Sequence, residues 1–361
     1  MKQESSTHSE SSSNKAILVG VKLPEDLSSS GISLDELTGL ATTAEYEPVA
    51  ELTQRLTGIN PKTFLGSGKV EELKQAVLHH SPEVVIFDEE VSPRQNRELE
   101  KVVKCRVIDR PWLILEIFSH HARTREAKTQ VELARLKYAL PRLAKMWGHL
   151  SRQRGGIGMK DVGETQIQLD QRMIRNEIHK LEKKLKQIDR EKKTQRKSRQ
   201  GTFKVALVGY TNVGKSSLMN KLTGAETLVE NKLFATLDST VRKVKKNFPY
   251  PVLLSDTVGL INKLPHDLVA SFKSTLDEVR DADLLIHVVD ISHPEYKNQM
   301  QTTDDLLIQM EMDAIDVVLV FNKTDSIEDI EELDRAQENF PSAISISCKK
   351  GEGIDALRQK I

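Results

Sequence analysis

The stretch "FKVALVGYTNVGKS", Phe203 to Ser216, decides the reading of this chain. Its first residues form a nearly continuous apolar run of strand type, and a helical pattern follows it. Gly209 to Ser216 between them fit G-x-x-x-x-G-K-[ST], in the strand–loop–helix setting that this pattern needs. Glycines let the backbone N–H groups turn inward and hold phosphates, Lys215 can bridge β- and γ-phosphates, and the Ser216 hydroxyl can bind Mg²⁺. A glycine-rich turn that merely contains Lys-Ser is the bland alternative, and the flanking strand and helix weigh against it. "PVLLSD", "DLLIHVVD", "DVVLVFN" and "AISIS" are further apolar runs separated by helical patterns, so residues 201–361 read as a doubly wound α/β domain.

The other strand ends carry matching chemistry. "SDTVGLI" puts Asp256 where a carboxylate can hold the Mg²⁺ shell through water, with Thr257 and Val258 beside it. Gly259 can offer its N–H to a γ-phosphate. Leu260 comes next, where a Ras-type enzyme has the glutamine that orients the attacking water. Leucine cannot do this, so the group that positions water is not legible. "FNKTD" supplies Asn322, Lys323, Thr324 and Asp325. A carboxylate accepts from both guanine N1–H and its 2-amino group, a donor pair that adenine lacks, so the nucleotide is GTP or GDP. Ser347, Cys348 and Lys349 should close over the base, while Thr236, flanked by Phe234, Ala235, Leu237 and Asp238, should close on Mg²⁺. The phosphate set is Gly209, Tyr210, Thr211, Asn212, Val213, Gly214, Lys215, Ser216 and Ser217, with Lys215 and Gly259 as the groups that meet reacting charge.

Upstream the chain changes character twice. Residues 15–121 alternate short β-branched runs ("KAILVGVKL", "EVVIFD", "KCRVID") with helical patterns, as expected of a small, mainly parallel α/β domain. Within it "GSGK", Gly66 to Lys69, lacks the remaining phosphate-loop residues and reads as a helix cap. Residues 122–200 carry two apolar stripes at spacings of 3 and 4, Leu133 to Trp147 and Ile174 to Ile188. They predict an antiparallel helical hairpin, with Pro141 interrupting and kinking its first helix. Between Arg123 and Arg199 stand 22 Lys and Arg against 9 Asp and Glu, although the whole chain has 53 of each. A solvated helix face explains many charge runs, but here the tip loop adds Arg152, Arg154 and Lys160 beside several glycines. That combination suits RNA phosphates. Residues 1–14 are Ser-rich, without the apolar middle of a signal peptide, and read as a disordered tail. The two cysteines suit a reducing cytoplasm, and no apolar run is long enough for stable membrane insertion.

Longer phrases carry a resemblance: "FLGSGKVEEL", "GGIGMKDVGETQIQLDQR", "LFATLDST" and "DTVGLINKLPHDLVASFKSTLDEVRDADLLIHVVD" closely resemble the HflX family. The resemblance implies an N-terminal domain peculiar to that group, a helical linker and a Ras-like G domain. It also implies a GTPase, slow alone, that binds the large (50S) ribosomal subunit and its rRNA, acts in rescue or splitting of stalled ribosomes, and is monomeric off them. A role in large-subunit assembly, or an RNA-binding factor with a merely structural nucleotide site, are the rival readings. Relatives usually have proline at Val162, glutamate at Gln168, arginine at Gln171, proline at Ser239 and alanine at Cys348.

Overall fold

The computed structural model describes residues 14–22, 30–146, 160–197, 201–224, 233–234, 240–244, 248, 250–263, 279–312, 314–327 and 330–361. Two compact units emerge, one of Met1–Ile117 with Pro141–Ile167, the other of Phe118–Leu140 with Gln168–Ile361. The chain therefore does not change units at residues 121 and 200, where its sequence pattern changes.

In the first unit, strands β1 (Lys15–Lys22), β2 (Glu47–Arg55), β3 (Val84–Phe87) and β4 (Arg106–Asp109) form an all-parallel sheet of order β2-β1-β3-β4. The helices are α1 (Ser30–Thr43), α2 (Ser67–His80), α3 (Pro93–Val103) and α4 (Arg110–His121). Alternate residues of each strand feed opposite faces: Ile17, Val19, Val85, Phe87 and Val107 pack with Leu73, Leu99 and Val103 of α2 and α3 in one apolar cluster. Helix α3 starts as "SPRQ" dictates, with Pro93 in its first turn and a reciprocal capping box between Ser92 and Gln95. Gly66 stands at the N-cap of α2, the place expected of a capping turn. Sequence reading missed α1 and β2; β2 is an edge strand whose "EPVAELTQR" is mostly half-buried or exposed and carries no apolar run.

The linker forms two helices, α5 (Arg125–Met146) and α6 (Lys160–Lys197). Ion pairs Glu126–Lys192 and Lys137–Glu182 (2.9 Å) join them, and their opposed numbering makes the pair antiparallel. Leu133 and Leu181 are buried, while the rest of the described stripe is half-buried. Pro141 does not end α5, which continues to Met146. The unit boundary falls at this proline instead: Arg142 donates to the Asp109 carboxylate (3.1 Å) and the Val91 carbonyl (3.0 Å), binding the last turns to the first unit. Trp147, Arg152 and Arg154 lie outside the described residues, as does the Lys160 side chain.

The second unit holds β5 (Phe203–Val208), β6 (Thr240–Val244), β7 (Val252–Asp256), β8 (Leu284–Asp290), β9 (Val317–Asn322) and β10 (Ile344–Ser345), in order β10-β9-β8-β5-β7-β6. All pair in parallel except β6, an antiparallel edge strand without a clean apolar pattern that the sequence did not disclose. Helices α7 (Lys215–Thr223), α8 (Tyr296–Gln309), α9 (Ile330–Asn339) and α10 (Ile354–Lys360), with a 3-10 turn at Thr324–Ser326, complete the described elements. Central β8 is buried along its whole length, as a strand covered on both faces must be. No helix among the described residues is long and apolar enough to cross a membrane.

The first unit contains one costly feature, the Arg110 guanidinium, which is 1% exposed and paired with Asp88 (2.7 Å) and Glu36 (3.0 Å). Removing one partner of a buried pair leaves the other charge desolvated. Arg110→Met should destabilise the first unit by about 3–5 kcal/mol, read by urea unfolding followed through Trp112 fluorescence.

Candidate nucleotide site

The site lies outside the carboxyl ends of β5, β7, β8, β9 and β10, where a doubly wound sheet leaves a crevice beside the reversal of strand order. The loop from Gly209 to Gly214 joins β5 to α7 and turns on residues in unusual conformations. Gly209 has φ +145°, and a Cβ there would stand 2.2 Å from the Val288 carbonyl oxygen, so no other residue fits. Asn212 also takes positive φ (62°). The loop folds around the Lys215 ammonium, which is 6% exposed and donates to the carbonyls of Gly209 (3.1 Å) and Tyr210 (2.6 Å). Burial pushes this lysine down to about 8, and the nearby Asp256 carboxylate only partly opposes the shift.

Ser216 donates its hydroxyl to Asp256 Oδ2 at 2.6 Å. A hydroxyl and a carboxylate oxygen side by side at the phosphate loop form a hard, oxygen-only donor set that suits Mg²⁺. The Thr257 hydroxyl donates to the Leu207 carbonyl (2.6 Å) and so fastens this residue to β5. Val258 is buried.

Gly259 and Leu260 pack directly on the loop. A Cβ on Gly259 would lie 2.7 Å from Thr211 Cα, so only glycine permits this approach. Leu260 is buried, donates its N–H to the Gly209 carbonyl (3.1 Å) and accepts from the Thr211 N–H (2.8 Å). Its place opposite the phosphate loop is thus a backbone splice with an apolar anchor. In the stretch expected to close on Mg²⁺ as a first switch, Phe234 donates its N–H to Thr211 Oγ1 (3.2 Å) and rests its ring edge-to-face on Phe118 at 4.8 Å. Ala235, Thr236, Leu237 and Asp238 lie outside the described residues.

The base-side residues also converge. Asn322, 1% exposed, donates from Nδ2 to the Val213 carbonyl (2.8 Å) and accepts the Cys348 N–H on Oδ1 (3.2 Å), joining phosphate loop to base loop. Asp325 accepts the Ser347 hydroxyl (2.5 Å), which, with other hydrogen bonds and Lys349, holds its carboxyl below the usual range. The carboxylate is therefore ionised and half-exposed, ready to accept hydrogen bonds. Burial pushes the Cys348 thiol up to about 12, so this side chain is an inert filler. Sequence reading missed Asp290, which ends β8 and pairs with Lys323 Nζ at 2.6 Å. Its signal was an acidic residue closing an apolar strand, "DLLIHVVD".

A phosphate loop, a serine–aspartate corner and a carboxylate-bearing base loop at the carboxyl ends of one sheet define a P-loop GTPase. Family models agree: residues 204–323 match the 50S ribosome-binding GTPase family, 32–119 the GTP-binding GTPase N-terminal region and 121–199 the GTP-binding GTPase middle region. GTPase HflX of Flavobacterium psychrophilum is 50% identical over 86% of this chain and 76% of its own length. The Escherichia coli GTPase HflX is 41% identical over 96% of this chain and 82% of its own. A GTP-binding protein from the archaeon Sulfolobus solfataricus, solved with GDP, is 26% identical, with a TM-score of 0.51 over 96% of this chain and 97% of that one. The chain belongs to the GTPase HflX family. It binds guanine nucleotides and hydrolyses GTP.

Lys215 gives the site a measurable proton linkage. Without phosphate, the folded chain gains stability as pH climbs through about 8, because the unfolded chain then keeps a proton that the folded one has shed. Phosphate oxygens favour the ammonium and reverse the shift. GDP binding at pH 8 should therefore take up about half a proton, measured by calorimetry in buffers of different ionisation enthalpy; Lys215→Ala should abolish the uptake.

Proposed function

We propose that this GTPase is a nucleotide-dependent switch on the large ribosomal subunit, acting in the rescue or splitting of stalled ribosomes. The observation that carries the ribosomal part is the family match of residues 204–323, described as a 50S ribosome-binding GTPase. It is supported by the basic surplus of the linker, whose Arg152, Arg154 and Lys160 would meet rRNA phosphates.

In this reading Lys215 holds the β- and γ-phosphates, and Ser216 and Asp256 are the residues that would hold Mg²⁺, the carboxylate through water. Thr236 and Gly259 close on the γ-phosphate. Asp325 reads guanine, with Ser347, Cys348 and Lys349 around the base. When bound there, Mg²⁺ would supply charge neutralisation on the phosphates. Because Leu260 is apolar and committed to the phosphate-loop backbone, no side chain at that position orients water. Basal turnover is accordingly slow, and ribosome contact supplies the missing order. Hydrolysis and phosphate release then relax the switches and the grip on the subunit.

The decisive experiment is co-sedimentation with separated 50S subunits under GDP, GTP and a non-hydrolysable analogue, with phosphate release followed in parallel. Binding should favour the triphosphate forms and weaken steeply as salt is raised, and 50S should raise turnover more than about tenfold, or 1.4 kcal/mol off the barrier. Equal binding in all nucleotide states would sink the reading. Base selection has its own test. Asp325→Asn replaces an acceptor by an amide donor suited to the 2-oxo group of xanthine, so GDP affinity should fall at least about tenfold and xanthosine diphosphate should compete.

A further inference from the structure

We propose that Tyr210 is a positioning residue for GTP hydrolysis: its hydroxyl fixes the segment Leu260 to Asn262, the second switch that follows Gly259, against the phosphate loop. The proposal rests on Gly209–Ser216 holding the nucleotide, and it is independent of the ribosomal partner.

Tyr210 occupies the second position of the phosphate loop and is 6% exposed. Its hydroxyl oxygen accepts the Asn262 N–H at 2.8 Å, across 52 residues of chain. The main chain on either side of Tyr210 grips the same segment: Gly209 accepts from Leu260 N–H, and Thr211 N–H donates to the Leu260 carbonyl. Leu260 to Asn262 is thereby fastened to the loop at three points, two through backbone and one through this side chain. Immediately beyond, Lys263 turns through a left-handed conformation (φ 55°), with its N–H on Asn262 Oδ1 (2.9 Å). The tyrosine hydroxyl thus fixes the start of that turn.

Phenylalanine would fill the same apolar space, so space filling does not account for the hydroxyl. Its contact does. Gly259, one residue before the fastened segment, lies against Thr211 Cα, so its placement relative to the loop follows from the same fastening. Phosphoryl transfer depends on donors already aimed at the γ-phosphate when charge develops there. A side chain at position 260 would ordinarily share that duty. Beside Lys215, the donors of this segment are main-chain groups, whose aim is set by what holds the segment, and the Tyr210 side chain is part of that hold. Loosening it should affect the reacting arrangement more than ground-state binding.

Tyr210→Phe removes only the hydroxyl. Measured without ribosomes, kcat should fall about fivefold, the effect of one neutral hydrogen bond. KM for GTP and affinity for GDP should stay within about twofold, because the interaction matters in the reacting state. Melting curves with and without GDP establish that the variant is folded and loaded. Unchanged kcat would overturn the proposal. So would a loss confined to KM or GDP affinity, or a chain that no longer folds, since each makes the hydroxyl a structural or binding group. Lys215→Ala run in parallel tests the nucleotide site separately: full GDP affinity there would refute the site reading, whatever Tyr210→Phe does.

Discussion

The enclosure of one ammonium group by backbone is the constraint on which this molecule depends. Lys215 is held by the carbonyls of Gly209 and Tyr210 in a loop that leaves little solvent around it. An enclosed cation with two neutral acceptors is incompletely compensated, which is why its proton is held loosely and why a phosphate is so well received there. The loop can close so tightly because Gly209 passes against the Val288 carbonyl, and β5 and β8 must be neighbours for that approach to exist. Sheet order, loop shape and charge are thus one arrangement.

Around this centre the phosphate loop acts as a junction. Its backbone splices to Leu260, Thr211 receives the first switch through Phe234, Tyr210 receives the second through Asn262, and Val213 receives the base loop through Asn322. Each is one hydrogen bond of modest net value, yet apart from exposed Asn262 the residues that make them are buried, and those groups would be costly to leave unmade. In the proposed cycle, a junction of this kind would carry a change at the γ-phosphate to both switches without a long-range device. It also gives Leu260 a physical role: a glutamine there would have to reach the nucleotide, whereas leucine seals the splice. Phe234 adds tension, since a non-glycine residue at φ 56° is held by its hydrogen bond and by the Phe118 ring.

Much of this was legible in the sequence, because the signals were of kinds that chemistry makes unambiguous. Apolar runs gave the buried strands, and "GYTNVGKS", "SDTVG" and "FNKTD" gave residues that the fold brings to one sheet edge. The edge strands β2 and β6 escaped because half-exposed strands need no continuous apolar run. Helix α1 escaped because "SGISLDELTGLATT" mixes glycine, serine and threonine with its apolar positions. Pro141 does not end its helix, and the change of unit falls there, which a proline in the sequence does not express. Asp290, the sheet-facing Thr257 hydroxyl and the Tyr210–Asn262 contact depend on strands meeting in space, which spacing along the chain does not express.

The central claim is that the γ-phosphate governs how the second switch is clasped to the phosphate loop, with no side chain at position 260 taking part. Amide hydrogen exchange at Leu260 and Asn262 measures that clasp directly, in the GDP form and with a non-hydrolysable GTP analogue. The account predicts clearly different protection of both amides in the two forms, changing together. Identical protection in both would contradict it.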